Sequence, residues 1–146
     1  MEIRDMFSKE RTSFDLKATT KEEVIDELID ILYKDGKITD KEEFKKAVLK
    51  REEEFSTGIG MGIAIPHGKS AAVKEASIVF GKSTKGIDFH SMDGEPAHLF
   101  FLIAVPEESN DVHLKALSEI SRRLMHEEVR EKLYKAQSFE DFIEAF

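Results

Sequence analysis

Ala97-His98-Leu99-Phe100-Phe101-Leu102-Ile103-Ala104-Val105 is a nearly continuous apolar run, closed by Pro106. An apolar run of this length without polar alternation is expected of a central strand buried on both faces. Such a strand needs cover on each face, and the segments around it read as helices. Thr20-Lys21-Glu22-Glu23 is a capping box ahead of Val24, Ile25, Leu28, Ile31 and Leu32 at helical spacing. Gly36 stands where a left-handed C-cap would close that helix. A second amphipathic helix is suggested from Thr39 or Asp40 to about Glu54 by Phe44, Ala47, Val48 and Phe55. Beyond the apolar run, Ser109 or Asn110 caps a third helix whose inward stripe is Leu114, Leu117, Ile120, Leu124 and Met125. A short helix around Val129 and Leu133 follows, and Ser138-Phe139-Glu140-Asp141 opens a last one with Phe142, Ile143 and Phe146. Further strands are expected at Ser13 to Leu16 (an edge), Ile63 to Ile65, and Ser77 to Gly81, with a loop from Gly86 to Glu95 turning at Asp93-Gly94. This intermixed order predicts an α/β fold, a sheet with helices on both faces, rather than a bundle or a β-sandwich.

Composition narrows the function. The 146 residues fit a single domain spanning 1–146. Thirty acidic against 22 basic residues give a net charge of −8, which argues against sequence-blind nucleic-acid binding. There is no cysteine, so disulfides, thiolate metal sites and a cysteine nucleophile are excluded. No apolar run approaches the roughly 20 residues of a membrane span, and the start Met1-Glu2-Ile3-Arg4-Asp5 lacks a signal-peptide pattern. The expectation is an acidic cytoplasmic domain with no membrane insertion.

The segment Ser56-Thr57-Gly58-Ile59-Gly60-Met61-Gly62-Ile63-Ala64-Ile65-Pro66-His67-Gly68 carries the chemistry. Gly58, Gly60 and Gly62 share one face if the loop is extended, admitting a backbone or ligand close by. The short strand then delivers His67 into a turn between Pro66 and Gly68, rigid yet accessible. Gly68-Lys69-Ser70 imitates the end of a phosphate-binding P-loop, but that motif needs glycine at position 63, which is Ile63. The same isoleucine breaks a GxGxxG reading from Gly58.

This segment resembles the phosphoacceptor motif of the enzyme IIA domains of the sugar phosphotransferase system, fructose–mannitol class. The family pattern is an Arg-Glu pair, a spacer, then S-T-G-I-G-x-G-I-A-I-P-H-G, matched here by Arg51-Glu52 and Ser56 to Gly68. Asp93-Gly94, Ile103-Ala104-Val105-Pro106 and His113-Leu114-Lys115-Ala116-Leu117 extend the likeness over nearly the whole chain. Met61 departs from it, since the family often has asparagine there. The resemblance implies a mixed sheet in a three-layer α/β/α sandwich. It also implies that His67 accepts a phosphoryl group from the phosphohistidine of the carrier protein HPr and passes it to a cysteine of a IIB component, while a membrane IIC permease imports the sugar. Arg51 and His113 match the family positions flanking the acceptor. The Ile-Pro-His-Gly-Lys form leans toward the fructose-type branch.

Residue chemistry agrees with that implication. Phosphoryl transfer asks for positioning and for neutralisation of the equatorial oxygens. Histidine, with an ordinary pKa of about 6.5, is largely neutral and nucleophilic near pH 7. An arginine fork such as Arg51 binds two phosphate oxygens. A helix starting near Asp111 places His113 in its first turn, where free N–H groups and the dipole favour an anion and disfavour protonation of His113. Thr57 or Ser56 is a candidate hydroxyl donor to phosphate. No metal or organic cofactor is required. Lys50, Glu52, Glu53 and Glu54 around Arg51 read as an ordinary solvated charge run, and Lys69 as solvent-facing. His90 and His126 carry no motif, and His98 reads as a satisfied core histidine. Two other functions fit the same residues: a nitrogen-type regulatory IIA protein acting through phosphorylation-dependent protein binding, and a metal- or anion-binding histidine module.

Overall fold

A computed structural model describes residues 2–109 and 111–146, and also leaves the side chain of His113 undescribed. Asn110, one of the two expected caps of the third helix, lies outside the described residues. Two short 3-10 helices, Ile3–Met6 and Lys9–Arg11, lead into β1 (Thr12–Ser13). Then come α1 (Lys21–Lys34), α2 (Lys41–Glu54), β2 (Gly58–Gly60), β3 (Ile63–Ala64), β4 (His67–Ser70), β5 (Ser77–Ile87) and β6 (Ala97–Pro106). The chain finishes with α3 (Val112–Leu124), α4 (Glu127–Lys135) and α5 (Phe139–Ala145).

The apolar run becomes the middle of the sheet. Strand β6 pairs antiparallel with β5, from Ser77 opposite Ala104 to Lys82 opposite Leu99. On its other side it pairs parallel with β3 at Leu99 and Phe100, and with β4 from Ile103 to Pro106. Pro66, which has no N–H to give the ladder, separates those two pairings while its carbonyl still accepts from Ile103 N (3.0 Å). The period of two along β6 divides the core. Phe100, Leu102 and Ala104 face a cluster with Val24, Leu28 and Leu32 of α1 and Phe44 and Val48 of α2. Leu99, Phe101, Ile103 and Val105 face the opposite cluster with Ala116, Ile120 and Leu124 of α3, Leu133 of α4 and Phe142 of α5. The result is the expected three-layer sandwich around a mixed sheet.

Local chemistry holds the outer layers in place. Thr20, Asp40 and Ser138 each accept a hydrogen bond from a backbone N–H three residues on, at the starts of α1, α2 and α5. The second core cluster is largely aromatic, with Phe80 and Phe142 rings 4.4 Å apart and Phe7 4.9 Å from Phe142. Lys82, a buried cation on β5, donates to the carbonyls of Leu133 (3.3 Å), Tyr134 (2.8 Å) and Ala136 (2.6 Å). It thereby adds a donor at the C-terminus of α4, where the last carbonyls are short of intrahelical N–H groups. Gly68 leaves little room for a side chain: a Cβ there would stand 3.1 Å from both Phe44 and Val48. Helix α2 therefore lies close on β4, which brings its last turn to the start of that strand.

Several expectations need correction. His67 begins a strand opposite Ile103 rather than sitting in a turn, because β6 still has ladder groups to satisfy beyond Pro66. The glycine segment is a hairpin: Gly58 pairs with Ala64 and Gly60 with Ile63. Strand β5 continues through Lys82 to Ile87, so the following loop starts later than Gly86. Leu114 and Met125 are 57% and 71% exposed, so the buried stripe of α3 is Ala116, Ile120 and Leu124. Met125 is already the C-cap, and Leu114 lies about 120° around the helix from Ile120.

Candidate functional site

The hairpin β2–β3 turns through backbone that most side chains avoid. Met61 and Gly62 have φ of +58° and +78°. The left-handed region costs a residue with a Cβ about 1–2 kcal/mol, and asparagine and glycine bear it best. The one departure from the family pattern thus falls on a strained position. The Asp93 carboxylate holds the turn by accepting from Met61 N (3.0 Å), and it also accepts from Glu95 N (3.0 Å). The bonds from Glu95 N and Met61 N keep its pKa below the ordinary carboxylate value. On the other side of the turn, a Cβ at Gly62 would collide with the Tyr134 hydroxyl of α4.

His67 is half-buried, with Nδ1 2.9 Å from the carbonyl oxygen of Ile65. A carbonyl only accepts, so Nδ1 carries the hydrogen, and the neutral form of such a ring keeps its lone pair on Nε2. The ring borders an open cleft of about 660 Å³. Arg51 enters that cleft from the last turn of α2, its Nη1 donating to Phe55 O at 2.8 Å. The remaining wall is mostly apolar: Phe55, Ile59, Met92, and Leu114 and Leu117 of α3. Phe55 and Met92 are 77% and 84% exposed, an unusual concentration of bare hydrophobic surface on an acidic protein.

The other sequence candidates fall as follows. Ser56 and Thr57 line the cleft, but their hydroxyls are engaged: Ser56 Oγ donates to Phe89 O (2.6 Å) and Thr57 Oγ1 to Glu52 Oε2. The backbone of His113 lies in the first turn of α3, and its side chain is outside the described residues. Lys69 is exposed. His98 is half-buried on β6, with Nδ1 2.8 Å from Ser83 O. Among the described residues, no group of three or more His, Asp or Glu could hold a metal ion. No described helix is long and apolar enough to cross a membrane.

Glu52, the second member of the motif's Arg-Glu pair, takes a place that its charge run does not announce. It was expected in a solvated charge run, yet its side chain is only 5% exposed. It pairs with Lys21 Nζ at 2.9 Å and accepts from Thr57 N at 3.0 Å as well as from the Thr57 hydroxyl. Helical spacing does not single it out, because Arg51 and Glu52 stand at comparable angles from the Phe44–Val48 face of α2.

Residues 5–146 match the family model "Phosphoenolpyruvate-dependent sugar phosphotransferase system, EIIA 2". The chain is 46% identical over 144 residues to the "PTS system fructose-specific EIIABC component" of Bacillus subtilis, covering 99% of this chain but only 23% of that relative. It is 45% identical over 129 residues to the "PTS system fructose-specific EIIA component" of Haloferax volcanii, covering 88% of this chain and 84% of the relative. Its fold matches nitrogen regulatory protein IIA-Ntr of Neisseria meningitidis with a TM-score of 0.90 at 28% identity, over 98% of this chain and 97% of that one. The chain belongs to the EIIA 2 family of the phosphoenolpyruvate-dependent sugar phosphotransferase system.

Proposed function

We propose that this protein is a phosphohistidine relay of fructose-type sugar uptake, with residues 1–146 acting as one IIA domain. The supporting observation is the His67 ring, tied at Nδ1 to Ile65 O so that Nε2 is the nucleophilic nitrogen, in the cleft that Arg51 also lines. The Nε2 lone pair attacks phosphorus on the phosphohistidine of HPr. A new N–P bond forms as the donor's N–P bond breaks, and the donor imidazole leaves with the electron pair. In the second step a cysteine thiolate of a IIB component attacks the same phosphorus. An S–P bond forms and Nε2 recovers its lone pair. A membrane IIC component then uses the IIB phosphate during sugar import. The name of the Bacillus subtilis relative, an EIIABC component, supports IIB and IIC as partners.

Arg51 offsets charge on the equatorial oxygens during both steps. His113, at the start of α3, joins it from the helix N-terminus, where an anion is favoured. Ser56 and Thr57 shape the loop, because their hydroxyls already serve local acceptors. The exposed apolar rim at Phe55, Met92 and Leu114 fits successive docking of two carriers. No cofactor takes part. The fold match to IIA-Ntr supports a second reading, a regulatory protein that binds targets according to its phosphorylation state. Sugar-dependent loss of the phosphate through IIB separates the two.

The test is incubation with phosphoenolpyruvate, enzyme I and HPr. The expected product carries one acid-labile, base-stable phosphate, absent from His67→Ala. Wild-type phosphorylation of His67→Ala would overturn the assignment.

A further inference from the structure

Lys21 and Glu52 form a buried ion pair that neither of their own helices favours. Lys21 is the first residue of α1, where the helix dipole is positive, and Glu52 lies in the last turn of α2, where it is negative. The pair is 2.9 Å long with side chains 18% and 5% exposed. The Lys21 ammonium also lies 4.6 Å from the centre of the Phe89 ring. Desolvating two such charges can cost more than their attraction returns, so a pair of this kind is weak evidence for a stability role. Breaks with local preference of this sort concentrate at functional sites.

What the pair reaches is the acceptor. Glu52 Oε1 accepts from Thr57 N (3.0 Å), and Oε2 accepts from the Thr57 hydroxyl. The Thr57 carbonyl accepts from Ile65 N (3.0 Å). The Ile65 carbonyl then accepts from His67 Nδ1 (2.9 Å). A continuous line of hydrogen bonds thus runs from a buried carboxylate, across the hairpin, to the ring nitrogen that sets the tautomer of His67. Thr57 and Ile65 are each held at both N–H and C=O, so a shift at Glu52 has few degrees of freedom in which to dissipate.

We propose that Glu52, locked by Lys21, is a positioning residue for phosphoryl transfer: through Thr57 and Ile65 it holds His67 with Nδ1 protonated and Nε2 presented to the cleft. Glu52 does not touch the phosphate. The inference rests on the phosphoacceptor role of His67, but its first readout does not. That readout is the imidazole 15N spectrum, which reports the tautomer without any donor.

The decisive variant is Lys21→Met with Glu52→Leu, which removes both charges together and takes away the acceptor of Thr57 N and of the Thr57 hydroxyl. Expected are a folded protein, a His67 ring that loses its preference for the Nδ1–H tautomer, and a transfer rate from phospho-HPr lowered about tenfold to a hundredfold, the range seen when partners orienting a reacting ligand are removed. KM for phospho-HPr should stay unchanged, since the docking rim is untouched. A folded double variant with the wild-type tautomer and wild-type rate would overturn the proposal. If the double variant does not fold, Thr57→Val serves instead, deleting only the hydroxyl bond to Glu52. The same direction of change at smaller size is expected, and an unchanged tautomer would overturn the proposal there too. A wild-type protein that takes no phosphate would defeat the functional reading while the spectra still decide the positioning of His67.

Discussion

Strands β5 and β6 share a ladder from Ser77–Ala104 to Lys82–Leu99, and every β6 residue from Leu99 to Val105 is wholly buried. The neighbouring β2, β3 and β4 have three, two and four residues. In the first region, apolar contact on both faces fixes position. In the second, position comes from left-handed turn residues, a proline break and two carboxylates, Glu52 and Asp93, that accept backbone N–H groups at the base and tip of one hairpin. Stability is concentrated in the dry strands and chemistry at their polar margin. Damage to one should therefore leave a distinct signature from damage to the other.

The largest effect belongs to the dry region. Phe101, wholly buried and 5.2 Å from the Phe80 ring, should cost about 3–5 kcal/mol on truncation to alanine. Chemical denaturation measures this, and a loss under about 1 kcal/mol would break the contrast. At the margin, Gly62→Ala meets both a φ of +78° and the Tyr134 hydroxyl. A cost of about 1–3 kcal/mol is expected, with a slower phosphoryl transfer per folded molecule. Adding Tyr134→Phe should recover the collision part and leave the backbone part. Full recovery would show that the turn conformation carries no strain.

The smallest effect is at Asp93, which is exposed. Its pKa is lowered in the folded state, so its contribution is present above the ordinary carboxylate pKa of about 3.9 and is lost as pH falls through the lowered value. Asp93→Asn should therefore be less stable than wild type near neutrality and converge with it in acid. Parallel stability curves at all pH values would remove Asp93 as the clamp of the Met61 turn.

The layered fold was legible because its signals are periodic. The run Ala97 to Val105 has no polar face, and the helices around it are capped by side chains readable three residues ahead. His67 and Arg51 were legible through the motif. Glu52 stands in the same motif, but its burial was not legible, because a charge run hides which member turns inward, and only the packing of α2 against Gly68 decides it. Leu114 misled for the opposite reason: an apolar residue at helical spacing reads as core, whereas here it lines an open cleft. The extent of β5 was missed because Lys82 looks like a strand terminator until its ammonium finds the carbonyls at the end of α4.

The most direct measurement of the central claim is 31P and 15N NMR of the protein phosphorylated through HPr. A single phosphate bonded to Nε2 of His67, with Nδ1 still protonated, is the predicted result. Phosphate on Nδ1, or on any other residue, would contradict it.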